Sequence, residues 1–98
     1  IQDNHLPQQE RCNVELIRLA RELSLPLVAT NDCHYLEADD AEAHEVLLCI
    51  QTGKTLADEK RFKLDTHELY VKSPDEMRAA FAHCPEAVDN TLDIARRC

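Results

Sequence analysis

Glycine is nearly absent from this sequence, which holds a single one, Gly53, among 98 residues. A phosphate-binding loop of the Gly-rich type needs several glycines, because its backbone must approach the phosphate closely. A serine-hydrolase elbow needs two glycines around its nucleophile. Both kinds of site are therefore excluded. The one glycine is expected to end a helix in the left-handed conformation that helix termini often require.

Large aromatic side chains are scarce as well, with two Tyr, two Phe and no Trp. Hydrophobic residues still make up 44% of the chain, so the predicted core is built from Leu, Val, Ile and Ala. No signal peptide is visible, and no apolar run approaches the roughly 18 residues of a membrane-spanning helix. No stripe of basic and aromatic residues suggests single-strand binding.

Basic residues are also in short supply, with 11 Lys and Arg against 19 Asp and Glu and a net charge of −8. Binding to nucleic acid depends on Lys and Arg that neutralise phosphates, so this piece alone is not expected to bind DNA. The imbalance lies in residues 1–50, which carry three basic and ten acidic side chains, whereas residues 51–98 carry eight and nine. An acidic surface suits a divalent cation, although most such surfaces are only solvated.

The five cysteines form no CxxC pair, and their odd number fits a reducing cytoplasm better than a disulfide framework. They are Cys12, Cys33, Cys49, Cys84 and Cys98. Cys12 and Cys49 lie on apolar faces of predicted helices and are expected to be buried.

Four helices are predicted. The first starts at Pro7 and ends near Ser24, and the second runs from Asp39 or Asp40 to Gly53. Their predicted buried positions are Cys12, Leu16, Leu19 or Ala20, and Leu23 in the first, and Ala43, Val46, Leu47 and Ile50 in the second.

The third helix begins with a capping box formed by Ser73 and Glu76, and it buries Met77, Ala80 and Phe81. The fourth begins at Pro85, and two arginines favour its C-terminal end.

Two short strands are predicted between the helices. The first, 27–30, is apolar on both faces, as in a parallel strand that is covered on each side. The second is 69–71. A lone parallel strand exposes unpaired backbone groups, so the first strand is expected to pair with another copy or with the second strand. Residues 54–68 are predicted to form an ordered loop anchored by Leu56, Phe62 and Leu64.

Asp32 and His34 are the one group of residues whose types and spacing suggest a functional site. In an extended segment they point the same way, while Cys33 points to the other face. A carboxylate and an imidazole at a strand end can hold one metal ion together. Taken alone, the pair is more often a polar turn. Cys33 beside His34 is not a predicted nucleophile pair, because the two side chains face apart.

The other histidines are not predicted ligands. His44, in a helix, is expected to make a polar contact beside the strand end, and His67 and His83 are expected to be solvated. No role can be assigned to His5.

The sequence also carries a family resemblance. Residues 25–35, LPLVATNDCHY, resemble the last metal-motif strand of a PHP (polymerase and histidinol phosphatase) domain. Residues 40–56, 69–77 and 85–91 resemble the segments that follow it in bacterial DNA polymerase III alpha subunits. One departure is His5, which stands where family members often have Gly.

This resemblance implies an α/β fragment, mostly helical, from a distorted (β/α) barrel of the PHP type. Residues 1–52 would be the C-terminal part of the PHP domain, with the helix, the strand, the metal motif and the next helix. Residues 53–98 would connect it to the palm through a loop, a short strand and two helices.

The resemblance further implies a cytoplasmic DNA-directed DNA polymerase that acts on DNA and deoxynucleotides together with other replicase subunits. Asp32 and His34 would be ligands of a divalent metal (zinc, manganese or magnesium) used for 3′–5′ exonuclease proofreading. The remaining ligands would lie upstream, so the fragment itself is expected to be inactive and to hold metal weakly or not at all. The alternatives are a non-catalytic scaffold, or another PHP-family phosphoesterase such as a histidinol phosphatase.

Overall fold

The computed structural model describes all 98 residues, and its regular structure is almost entirely helical. A short 3₁₀ turn, Ala38–Asp40, precedes the second helix. The four helices are α1 (Pro7–Glu22), α2 (Ala41–Thr52), α3 (Pro74–Ala80) and α4 (Pro85–Arg97). The predicted number and order of helices are confirmed. None of them combines the length and the apolar character needed to cross a lipid bilayer.

The predicted strands are reduced to two isolated parallel bridges. Thr30 pairs with Gln2, and Tyr35 pairs with Tyr70. Of the two expected partners of 27–30, the segment 69–71 is therefore wrong, and pairing with another copy stays a prediction. The N–H groups of Ala29 and Thr30 donate to Ala87 O and Ile1 O instead, and the segment 69–71 bonds to residues 34–36.

By its contacts the chain forms two compact units: residues 1–31 together with 72–98, and residues 32–71. These units describe contacts within the chain. The domain limits expected at residues 52 and 53 concern the organisation of a larger protein and stay a prediction.

The first unit has a small apolar core where α3 and α4 meet. Ala29, Phe81, Cys84 and Ala87 are buried, and Met77 is among the side chains that pack around them. The predicted apolar face of α3 is therefore confirmed. Burial raises the pKa of the Cys84 thiol, so this cysteine is a structural residue rather than a reactive one.

A buried amide network joins the N-terminal segment to residue 31 in the same unit. The Nδ2 group of Asn4 donates to the main-chain and side-chain oxygens of Asn31 at 3.1 and 3.0 Å. Gln9 donates to Oδ1 of Asn4 at 2.7 Å and accepts from the Asn4 N–H at the same distance. Lys72 donates to Asn31 at 3.2 Å. Because each of these amides has hydrogen-bond partners, their burial does not incur the free-energy cost of unpaired polar groups.

The buried face of α1 differs from the predicted one. Asn13 and Ala20 are buried, whereas Leu16, Leu19 and Leu23 are between 44% and 58% exposed. Cys12 is exposed, so its predicted burial is wrong. The reason is that Asn13 bonds both main-chain groups of Gln2, so the face of α1 that carries Asn13 packs against the N-terminal segment. Nothing in this chain covers the apolar stripe.

The second unit shows the same contrast on α2. Cys49 is buried, as predicted, whereas Val46, Leu47 and Ile50 are exposed. The side that packs carries His44, Glu45 and Leu48, which are half-buried. Ala43 is exposed as well, so the predicted burial of the face formed by Ala43, Val46, Leu47 and Ile50 is wrong, because this chain supplies no partner for it.

The loop 54–68 is held mainly by a charged side chain. Leu56 and Phe62 are exposed, and of the expected anchors only Leu64 is half-buried. The Arg61 side chain is only 6% exposed, and its Nη2 lies 2.7 Å from Oε1 of Glu45. Its other terminal nitrogen, Nη1, is buried without a partner. This hydrogen bond from Arg61 lowers the pKa of Glu45.

Two helices end in the same way with different residues. After α1, Ser24 has φ 53°, and the N–H of Leu25 donates to Ala20 O at 2.8 Å. After α2, Gly53 has φ 65°, and the N–H of Lys54 donates to Cys49 O at 2.9 Å. Both are Schellman ends with a left-handed residue. The predicted role of Gly53 is confirmed.

We predict opposite effects of substitution at these two ends. Gly53→Ala should lower the free energy of unfolding by about 1 kcal/mol, because a Cβ disfavours the left-handed conformation. No atom lies within 4 Å of that Cβ, so strain in φ is the only cost. Ser24→Gly should raise stability by about 0.5 kcal/mol for the converse reason.

Urea unfolding of the purified chain measures both effects. Ala82→Gly is the matched control, because Ala82 is an exposed turn residue without a positive φ. It should be destabilising. Equal effects of glycine at positions 24 and 82 would contradict the assignment.

The ion pair between Glu45 and Arg61 predicts an acid dependence. Because the folded-state pKa of Glu45 is lowered, its contribution is complete above the ordinary carboxyl range, about 4.3, and is lost as pH falls through the folded value. Glu45→Gln should therefore destabilise the chain at neutral pH and lose less stability on acidification than the wild type does. Thermal unfolding measured across this range tests it, with the exposed Glu59→Gln as control. Parallel pH profiles for wild type and Glu45→Gln would refute the role of the pair.

Candidate metal centre

Asp32 and His34 lie at the start of the second unit, beside the bridge between Tyr35 and Tyr70. Asp32 has φ 53°, so the backbone is left-handed there and the segment is not continuously extended. The premise that simple strand alternation orients the pair is therefore wrong at Asp32. Aspartate enters this conformation more readily than most residues, because its short side chain can bond locally.

The backbone after Asp32 is fixed by hydrogen bonds to residues 69–71. The N–H of His34 donates to Leu69 O at 2.7 Å, and the N–H of Val71 donates to Leu36 O at 3.2 Å. Leu69 is itself buried. These bonds give His34 a defined backbone although its side chain is exposed.

The His34 ring bends back onto the chain. Its Nδ1 lies 2.6 Å from the main-chain oxygen of Asp32. A carbonyl oxygen can only accept, so the neutral ring carries its proton on Nδ1 and its lone pair on Nε2. Metal-ligating histidines are commonly oriented by such a bond from the nitrogen that does not bind the metal.

The Cys33 thiol contacts the segment that pairs with residues 34–36. Its Sγ lies 3.4 Å from Tyr70 O, a main-chain acceptor on the paired segment. The Cys33 thiol thus has a main-chain partner on the paired segment, and the prediction that it forms no nucleophile and base pair with His34 stays a prediction.

His44 lies next to the pair, although the sequence did not predict a role for it in the candidate site. Its ring centroid lies 5.4 Å from that of His34, with an angle of 78° between the planes. The same ring lies 5.4 Å from the Tyr35 ring. The sequence predicted only a polar contact there. Only six residues lie between His34 and the start of α2, so His44 could have been considered as a candidate from the sequence. Whether its ring faces the pair depends on tertiary packing.

His5 and His83 lie elsewhere, whereas His67 lines a small pocket together with Tyr35, His44 and Glu45. His5 and His83 line a cavity of about 500 Å³ in the first unit, next to Asp3 and Glu10. His67 borders a cavity of about 310 Å³ with Asp39 and Glu42. Both His67 and His83 are exposed, as predicted.

No group of three or more His, Cys, Asp or Glu side chains in the chain is arranged to hold a metal ion. The chain therefore presents two accessible donor residues, one oxygen and one nitrogen ligand. That donor set suits zinc or manganese better than magnesium, which prefers oxygen alone. Two residues do not complete a site for any of these metals.

No protein-family model matches the chain. Its similarity to individual proteins is nevertheless high. It is 48% identical over 101 residues to the DNA polymerase III subunit alpha of Thermus aquaticus, covering 100% of this chain and 8% of that relative. The subunit alpha of Deinococcus radiodurans gives 50% over 101 residues with the same coverage. That of Campylobacter jejuni gives 47% over 90 residues, or 92% of this chain and 8% of the relative.

The chain belongs to the DNA polymerase III alpha-subunit family. It spans about 8% of the length of these alpha subunits. The predicted family is thereby confirmed. The matches to the alpha subunits of Thermus aquaticus and Deinococcus radiodurans cover the whole chain, residues 53–98 included.

Proposed function

We propose that this chain is part of a bacterial replicative DNA polymerase, the alpha subunit of DNA polymerase III, which works in the cytoplasm. Residues 1–52 would close its PHP domain, a distorted (β/α) barrel, and residues 53–98 would lead to the palm. The support is the 42–50% identity to alpha subunits over nearly the full chain. The whole protein would copy DNA from deoxynucleotides, together with other replicase subunits.

The piece itself would contribute neither polymerisation nor DNA binding. Its net charge of −8 opposes contact with phosphates, so DNA would be held by other parts of the subunit.

Asp32 and His34 would be two ligands of a divalent metal at the PHP site. The observation that carries this proposal is the 2.6 Å contact between His34 Nδ1 and Asp32 O, which leaves Nε2 as the lone-pair nitrogen. A metal bound there would supply a Lewis acid and an activated water for hydrolysis of a phosphodiester, as in 3′–5′ proofreading. The residues' own part is to present one imidazole nitrogen and one carboxylate in an accessible position.

Variants of the full-length alpha subunit test this role. Asp32→Gly is suited to the purpose because glycine tolerates the φ of 53° and removes only the carboxylate. His34→Gln removes the imidazole. Each should lower bound metal and metal-dependent 3′–5′ exonuclease activity by at least about tenfold and leave polymerisation unchanged.

His83→Gln, at an exposed histidine of the first unit, serves as the control and should leave the metal content, the exonuclease activity and polymerisation at wild-type values. Full metal content and exonuclease activity in both Asp32→Gly and His34→Gln would remove the assigned roles.

The isolated 98-residue chain provides a second prediction. Because two ligands do not complete a site, it should purify with metal well below one equivalent. Elemental analysis after dialysis against a metal-free buffer measures this. One tightly held equivalent of zinc would show that the site is complete within the chain, contrary to the proposal.

A scaffold role is the second candidate. It is favoured by the uncovered apolar faces of α1 and α2. On this alternative the full-length subunit binds no metal at the site, and Asp32→Gly changes nothing. Another PHP phosphoesterase is not supported, because the relatives that match the whole chain, residues 53–98 included, are alpha subunits.

A further inference from the structure

The orientation of His34 needs more than the one hydrogen bond it makes. Its side chain is exposed, and the torsion about the bond to an imidazole ring is broad and roughly two-fold. A half-turn of the ring would carry Nδ1 away from Asp32 O. A second contact is required to keep Nε2 on the outer side of the ring.

His44 supplies that contact. The two rings meet edge to face, with centroids 5.4 Å apart and planes at 78°, which is a favoured arrangement for aromatic pairs. His44 is half-buried on α2, and no hydrogen bond in the structure involves its ring. Its role in the protein is therefore one of packing.

His44 is itself held in place from the other side. The Tyr35 ring lies 5.4 Å from it at a tilt of 45°. Tyr35 is fixed by its bridge to Tyr70, and its hydroxyl accepts from the N–H of Leu69 at 3.4 Å. The His44 ring thus contacts both the His34 ring and the Tyr35 ring.

We propose that His44 is a positioning residue that holds the His34 ring with Nδ1 on Asp32 O and Nε2 available to a divalent metal. This inference rests on the proposed metal site. His44 acts through its ring and is not a ligand, in keeping with the absence of any group of three donors.

A pair of variants separates packing from ligation. His44→Phe keeps an aromatic ring and removes both nitrogens, whereas His44→Leu removes the aromatic ring and keeps an apolar side chain of helical preference. The first readout needs no metal: ¹⁵N NMR of the metal-free 98-residue chain reports the tautomer of His34. Wild type and His44→Phe should show the proton on Nδ1 alone, and His44→Leu should show a mixture of both tautomers.

The second readout is metal affinity of the full-length alpha subunit, measured by competition with a zinc chelator. His44→Leu should weaken zinc binding about tenfold, the lower end for residues that orient a ligand. His44→Phe should stay near wild type, and His83→Leu, at an exposed histidine of the first unit, is the control. Equal loss in both His44 variants would make His44 a ligand, and no loss in either would make it irrelevant. Both results overturn the proposal.

The two readouts also separate this inference from the proposed function. If the wild-type subunit binds no zinc, the metal site fails, while the tautomer measurement still decides whether His44 orients His34. If zinc binds through His34 but substitution of His44 leaves the His34 tautomer unchanged, only the positioning role of His44 fails.

Discussion

The backbone pairing of residues 34–36 with residues 69–71 is the constraint on which the second unit depends. The N–H groups of His34 and Tyr35 both point at Leu69 O, at 2.7 and 3.4 Å, and Leu69 is buried. This pairing fixes Tyr35, whose ring supports His44, and it fixes the backbone from which the His34 ring folds back. The candidate site is therefore defined by main-chain hydrogen bonds made far along the sequence.

Features governed by neighbouring residues could be predicted from the sequence. Ser73 and Glu76 form the reciprocal capping box that their spacing predicts, with the Ser73 N–H donating to Glu76 at 2.7 Å. Gly53 ends α2 because the left-handed residue of a Schellman motif needs no partner beyond its own helix. In such cases the interacting groups are a few residues apart, so a short stretch of sequence shows both partners of the interaction.

Features governed by distant residues could not be predicted in the same way. Helical periodicity identified the apolar stripe of α1 but not which face would be covered, and Asn13 turned a polar face inward. The left-handed backbone at Asp32 and the ring contact between His44 and His34 likewise depend on tertiary packing. The pair Asp32 and His34 could be named from the sequence, whereas its orientation required the structure.

Arg61 has a consequence for motion in the second unit. Its Nη2 is paired with Glu45 and its Nε donates to Leu56 O at 3.4 Å, whereas Nη1 is buried without a partner, a cost that water would relieve. The loop around it has no regular secondary structure, and Leu56 and Phe62 are exposed. Release of this loop thus exposes little apolar surface and rehydrates a cation. Local opening of this loop should therefore cost less free energy than opening of α2, and its amides should exchange with solvent ahead of those in α2.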